Sequence, residues 1–373
     1  MPLPRVALPL VLLAACSDET STCRNGKRDH GELCLTMGST VRLVGGPHAA
    51  AVADMDSDGD NDLTIVHAEG DNLSILDNDG KGGFSITRTL GVGDAPSGIA
   101  AADLDDDGDT DLVTVQARGD SLRVLRNQDG ELSVAQAITV GKEPISVALG
   151  HLDNDSVPDM SVAERAGAQV RIISGVRTPS GYSVGTSQEI PFPSVRKVLV
   201  SDMNRDGLLD ILVLTSSSVE LLRNEGSGSF TRGAAFALEQ PAADISVAAI
   251  DRNTDPCLVV AIPSVGIIVA KADGEGTLRT HLTLGPGSAS ASERPVALAV
   301  GDMNGDGKDD IVAANAASAS VSIALAAPTG FRVHRLRGVP DPSEVLAAEL
   351  NDDGALDVAL MHENGVSVYL SSP

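Results

Sequence analysis

Beyond residue 40 the chain reads as short bursts of apolar residues divided by turns, and the bursts recur. Each unit begins with a small or aliphatic run, such as AAAVA, GIAAA or VALAVG. An acidic stretch follows, and a β-branched run leaves most of them: LTIV, LVTV, ILVL, IVAA or VALM. After a turn comes a second alternating run, such as NLSILDN, SLRVLRN or SVELLRN. A Gly-rich turn then leads, often through an aromatic (Phe84, Tyr182, Phe230, Phe331), into a last strand such as FSITRTL. Apolar residues at alternate positions, bounded by Gly, Pro, Asn and Asp, predict strands, and no stretch after residue 40 keeps a helical period. The pattern predicts four short strands per unit of about 48 residues.

A four-stranded unit of that size is the signature of a β-propeller blade. Seven such units fit the 373 residues after a leader of about 40. The small residues ahead of each acidic stretch suit the crowded strand nearest the propeller axis. The last unit ends at SVYLSSP with no fourth strand, while STVRLVGGP at 39–47 matches the fourth strand and link of other units, such as ITRTLGVGDAP. The expected fold is therefore all-β: a seven-bladed β-propeller of four-stranded blades over residues 39–373, closed by an N-terminal strand in the last blade.

The acidic stretches change the picture from fold to chemistry. Nine-residue windows begin at Asp54, Asp103, His151, Asp202, Ala249, Asp302 and Glu349, with spacings of 49, 48, 51, 47, 53 and 47. They read DMDSDGDND, DLDDDGDTD, HLDNDSVPD, DMNRDGLLD, AIDRNTDPC, DMNGDGKDD and ELNDDGALD. The chain carries a formal charge of −25, and these windows hold −24 of it. A solvated charge run would not be periodic. So acidic a chain excludes attraction to nucleic-acid backbones or anionic lipid. Seven aromatics in all, with no Trp, argue against a platform of stacked rings for sugars or single strands.

The pattern D-x-[DN]-x-D-G-x-x-D sets oxygens at positions 1, 3 and 5, offers a backbone carbonyl at 7 and a carboxylate at 9. Gly at position 6 permits the tight turn that folds them around one point. Carboxylates forced together repel unless a cation sits among them, and an all-oxygen, flexible loop favours Ca²⁺ over Zn²⁺ or Mg²⁺. The loop is too short for an EF-hand, and its ninth residue opens directly into a strand. The bland alternative is an Asp/Gly-rich turn without metal. Four near-complete copies at one period weigh against it.

The windows and their repeat resemble FG-GAP or VCBS repeats, the family that includes integrin α-subunit propellers. The resemblance covers residues 40–373. It implies Ca²⁺ in the turn between the first and second strands of a blade, where the ion is structural and partners bind elsewhere on the disc. The ligands it implies are Asp54, Asp56, Asp58, Asp60 and Asp62 in the first loop, and Asp103, Asp105, Asp107, Asp109 and Asp111 in the second. The fourth loop offers Asp202, Asn204, Asp206 and Asp210, and the sixth Asp302, Asn304, Asp306 and Asp310. The seventh offers Glu349, Asn351, Asp353 and Asp357. Four or five Ca²⁺ sites result. The third window, with His151 first and Ser156 for the Gly, is left open. The fifth, with Ala249 first and Cys257 last, is read as lost. At about 1 mM Ca²⁺ and a Kd of ~0.1 mM each site adds about 1.4 kcal/mol. Four such sites approach the whole net stability of a domain.

The opening MPLPRVALPLVLLAACSDE has one Arg before an apolar run of signal-peptide length. Leu13-Ala14-Ala15-Cys16 looks like a bacterial lipobox. The expectation is a lipoprotein signal peptide at 1–15, a lipidated Cys16, a tether over 16–38 and a place on the bacterial cell envelope, outer membrane or cell surface. The alternative is an ordinary cleavage site with a chance Cys. Cys23 and Cys34 enclose RNGKRDHGEL and resemble short Cys-bounded segments of exported bacterial proteins. With an oxidising envelope, that resemblance implies a Cys23–Cys34 disulfide. A Zn²⁺ site there would have only His30 in addition.

The seven His residues are scattered, and no H-E-x-x-H, G-x-S-x-G, P-loop or dinucleotide fingerprint occurs. Arg118-Gly119-Asp120 spells a tripeptide that some integrins read, but equivalent hairpins (AEGDNL, ERAGAQ) make it turn chemistry. The expected function is a lipid-anchored, Ca²⁺-stabilised binding or scaffolding module without catalytic residues. Its partner is a protein or an envelope polysaccharide, and the scarcity of aromatics favours protein. The alternative is a surface hydrolase or lyase acting on polysaccharide from the axial funnel, which calls for converging polar and ionisable groups there.

Overall fold

A computed structural model describes residues 33, 35–153, 155–179, 181–251, 255–273, 276–284, 293–327, 330–339 and 341–371. The expected signal peptide, Cys16, Cys23, His30 and Cys34 lie outside them. Among the described residues no helix is long and apolar enough to cross a membrane.

Among the described residues twenty-eight strands form seven antiparallel sheets of four, each sheet a blade in a ring. Six blades are made of consecutive strands. The seventh takes its outer strand from the start of the chain: Leu35–Arg42 pairs antiparallel with Gly365–Ser371, Leu35 opposite Ser371 and Arg42 opposite Gly365. The closing strand thus begins four residues before the expected domain start at 39. The physical reason is burial, since Leu33 and Leu35 pack into the core between the sixth and seventh blades.

Five inner strands begin at a Pro: Pro47, Pro96, Pro144, Pro295 and Pro342. Pro is tolerated there because the first residue of a strand can do without its N–H. In each, the register skips the residue after the Pro, a bulge that starts the strand at the ring's axis. In every blade the second strand is buried along its whole length, the inner strand is mostly buried or half-buried, and the outer strand is the least buried of the four.

There is no single core. Seven apolar clusters lie between successive blades, from Met55, Leu73 and Leu112 between the first and second to Leu43, Leu63 and Ala359 between the seventh and first. Each cluster needs both of its blades, so ring closure completes the burial of the last one.

Candidate metal centres

Every acidic window falls in the loop from the inner to the second strand, and all seven therefore gather on one face of the ring. The first residue of a window organises its own loop. Asp54 accepts the N–H of Ser57 (2.7 Å) and Gly59 (3.0 Å), Asp103 those of Asp106 (2.6 Å) and Gly108 (3.1 Å). Asp202 and Asp302 do the same for Asp206 and Gly207, and for Asp306 and Gly307. Glu349 accepts the N–H of Asn351 and Asp353. The Gly at position six is left-handed, with φ from 99° at Gly59 to 79° at Gly354. A Cβ on Gly59, Gly108, Gly207, Gly307 or Gly354 would meet nothing within 4 Å, so the demand there is for conformation and not for room.

The ninth residue does more than offer a ligand. Asp62 is buried and accepts two backbone N–H groups, Met55 (2.9 Å) in the loop and Asn78 (2.9 Å) at the end of the third strand. Asp111, Asp159, Asp210, Asp310 and Asp357 repeat this pairing, including Asp159 of the third window. This clasp of loop to sheet was not foreseen, because the partner donors are backbone groups about 16 residues on. Burial pushes the carboxyls of Asp62, Asp111, Asp210 and Asp357 up to about 6 and that of Asp310 to about 7, against the pull of the two N–H groups.

The predicted ligands converge to different degrees. Carboxylate oxygens of Asp54, Asp56 and Asp58 lie within 4.8 Å of one another, as do those of Asp103, Asp105 and Asp111. Asp60 and Asp109 stand outside these groups. Asp109 instead accepts Ser57 Oγ of the neighbouring loop (2.9 Å) and the N–H of Asp129 (2.7 Å). Asp107 is drawn to Arg126 (3.1 Å). At position three, Asn304 and Asn351 donate through Nδ2 to Asp310 (3.2 Å) and Asp353 (3.2 Å), which leaves each Oδ1 buried with no hydrogen-bond partner. Asp105 Oδ1 is likewise buried and unpartnered. In the fourth loop Asn204 Oδ1 accepts the N–H of Asp206 (3.0 Å). Buried oxygens without donors, set among carboxylates, fit a hard cation. Asp54, Asp56 and Asp58, with Asp103, Asp105 and Asp111, would hold Ca²⁺ in the first two loops. Asp202, Asp206 and Asp210, Asp302, Asn304 and Asp306, and Glu349, Asn351 and Asp353 are the corresponding donors in the others.

In the third window Asp153 and Asp155 accept backbone N–H groups of their own turn, and His151 is exposed. In the fifth, Cys257 is buried, its thiol pushed up to about 11, mainly by burial. Asp251 binds Lys271 Nζ, and Asp255 binds Arg205 at 2.5 Å. The tripeptide at Arg118 is engaged in its turn: Arg118 Nε lies 2.8 Å from Asp94, and Asp120 accepts the N–H of Glu143 (2.9 Å).

A second charged group sits on the inner strands near the opposite face. Aligned by strand register, Ala49, Gly98, Ser146, Lys197, Asp244, Ala297 and Glu344 share one layer. Lys197 Nζ lies 2.5 Å from Asp244 Oδ1. Ser146, Asp244 and Glu344 each accept a backbone N–H from the next blade, of Val198, Leu298 and Ala50. Burial pushes Glu344 up to about 8, Lys197 opposing and Asp244 adding to it, and its Oε2 has no partner. The signal was a charge inside a run of small residues. Two shallow surface hollows lie elsewhere, along third and outer strands: one of about 410 Å³ lined by Ser39, Asp77, Phe84 and Thr87, one of about 200 Å³ lined by Arg223, Thr231 and Arg232.

The FG-GAP-like repeat family matches residues 54–114 and 202–260, and the FG-GAP repeat matches 295–330. The chain carries FG-GAP repeats. These matches hold the first, second, fourth, fifth and sixth windows within a ring of seven like blades. No curated protein matches the chain. Among solved structures, BBS1N in complex with ARL6DN is similar at 14% identity and a TM-score of 0.64, over 89% of this chain and 94% of that one. Virginiamycin B lyase from Staphylococcus aureus is similar at 13% identity and 0.59, over 91% and 99%. A streptogramin B lyase aligns at 12% identity and 0.61, over 91% and 98%. At such identities the likeness is one of fold.

Proposed function

We propose that the protein is a partner-binding propeller whose FG-GAP loops hold Ca²⁺, and that it acts on the bacterial envelope through a lipid on Cys16. The observation that carries the reading is the set of buried, donor-less oxygens of Asp105, Asn304 and Asn351, each inside a cluster of acids on one face. The ions stiffen that face and leave the rim and opposite face for a partner, in keeping with the structural neighbour that carries ARL6DN. The partner class is protein, since the described surface has few aromatic rings to stack on sugar. The Leu13-Ala14-Ala15-Cys16 sequence supports the anchor.

A second reading has one observation of its own. Lys197, Asp244 and Glu344 meet on the inner strands, as an axial enzyme site would require, and two structural neighbours are lyases. Most of their polar atoms are committed to one another or to backbone N–H groups of the next blade, which favours the binding reading. The test is recovery of a defined protein partner from envelope fractions in Ca²⁺ and in EDTA, beside an assay of polysaccharide cleavage. Ca²⁺-dependent recovery of one partner is expected. Cleavage that Lys197→Met abolishes would replace the binding reading with the enzymatic one.

A further inference from the structure

The third strand of each blade sets one side chain at the lip of its loop, and in the third blade it is Ser174, one step past Met160–Ile173. In the first blade it is Asp77, one step past the Leu63–Leu76 pair. In the second it is Arg126, one step past Leu112–Leu125, and in the fourth Arg223, one step past Ile211–Leu222. In the fifth it is Lys271, paired with Cys257 itself. The sixth and seventh blades carry Leu325 and Leu370, beyond Ile311–Ala324 and Val358–Tyr369.

These side chains act on the loop beside them. Asp77 adds negative charge felt by Asp56 and Asp62. Arg126 lies 2.8 Å from Asp105 and 3.1 Å from Asp107, both predicted ligands. Lys271 Nζ binds Asp251. Arg223 is held by Glu225, with Nη2 2.7 Å from Oε1, on the exposed side. The blade that lacks the first and ninth window carboxylates, at Ala249 and Cys257, has an ammonium from its third strand against its loop, whereas the ammonium of the sixth loop, Lys308 Nζ 2.9 Å from Asp306, comes from the window itself. The remaining edge of the fifth loop is closed by a neighbour, because Asp309 of the sixth blade accepts the N–H of Ala249 (2.7 Å).

We propose that this third-strand residue is a selector that sets each loop's demand for a divalent cation: in the fifth blade it is a tethered cation standing in for the ion, and in the second it competes with one. The proposal rests on the Ca²⁺ reading of the loops. The physics is that of neutralisation: clustered carboxylates need positive charge, and a guanidinium or ammonium on the same sheet supplies it without a ligand. The first loop, with Asp77 added and no base, recruits Ca²⁺ most strongly. The second, complete in ligands, binds more weakly than the first because Arg126 competes. The fifth is independent of metal.

The test is calorimetric titration of the full chain with Ca²⁺, with bound ions counted after equilibrium dialysis. A unit charge about 6 Å from a divalent ion, screened as in water, changes affinity by about tenfold. Arg126→Met is expected to tighten one site by about tenfold, and Arg126→Lys to leave it as in the wild type. Asp77→Leu is expected to weaken one site by about tenfold. Lys271→Met is expected to melt lower than the wild type in EDTA and to gain no ion. Ca²⁺ uptake by the wild type with affinities unmoved in both Arg126→Met and Asp77→Leu would overturn the selector and leave the metal reading standing. No uptake by the folded wild type would overturn both.

Discussion

Asp159 isolates the clasp from the metal. It lies in the third window, whose first residue is His151, and it accepts the N–H groups of Leu152 (2.7 Å) and Gly175 (2.8 Å). Asp159→Ala leaves both donors buried without an acceptor. Each such donor costs about 1–3 kcal/mol, a gross loss of roughly 2–6 kcal/mol. Burial pushes the Asp159 carboxyl above its usual value, so the ionised group itself costs energy in the folded chain and offsets part of that. A net loss of about 2–4 kcal/mol remains. At roughly 2 °C per kcal/mol for a large domain, Tm falls by about 4–8 °C. The assay is calorimetric melting in about 1 mM Ca²⁺ and in EDTA, and the fall is expected to be equal in both. Asp310→Ala in the sixth blade removes the same kind of clasp from a loop with all its ligands, so its fall is larger in Ca²⁺ than in EDTA. A Tm unchanged in Asp159→Ala, or a fall confined to Ca²⁺, would mean that the clasp does not hold the loop to the sheet.

Removing residues 1–46 strips the seventh blade of its outer strand and is expected to lower Tm far more than removing residues 1–32; equal melting of the two would contradict closure by Leu35–Arg42. Glu344 faces Lys197 and Asp244, and its raised pKa means that the folded chain holds a proton the unfolded chain has lost. Stability from that proton is therefore full below pH about 4.5 and lost as pH rises through about 8. Glu344→Gln is expected to raise Tm more at pH 8 than at pH 5, and equal shifts would count against it. Asp120→Ala loses the bond from the Glu143 N–H and is expected to cost about 1 kcal/mol without affecting partner capture. A loss of capture with unchanged stability would make the Arg118 turn a recognition site.

Much of the fold was legible because it repeats. Period-two runs mark the strands, Pro marks the start of five inner strands, and Asp-rich windows mark one loop per blade. The missing fourth strand of the last unit pointed to residues 39–47, although burial of Leu33 and Leu35 draws the strand's start back to Leu35. Residues whose roles depend on distant partners were not legible. The ninth-position Asp reads as a ligand until its two backbone donors are seen. The terminal Asn of NLSILDN and SVELLRN reads as a turn residue. In the ring it ties blades together, Asn78 Nδ2 donating to Leu350 O (3.0 Å) and Asn224 Nδ2 to Leu152 O (2.9 Å). The fifth window looked merely lost, whereas Lys271, Arg205 and Asp309 fill it with charge from three blades. Lys197, Asp244 and Glu344 stand at one phase of the repeat, 47 and 100 residues apart, but that spacing does not show that their charges face one another across the ring.

Whether the acidic loops hold Ca²⁺, and whether the ring depends on it, is read by melting the full chain during a Ca²⁺ titration from an EDTA zero point, with bound ions counted. A large upward shift in Tm is expected, with four or five ions per chain, each site worth about 1.4 kcal/mol at a tenfold excess over Kd. An unchanged Tm with no ion bound would contradict Ca²⁺ binding by the loops and leave the oxygens of Asp105, Asn304 and Asn351 buried without a partner.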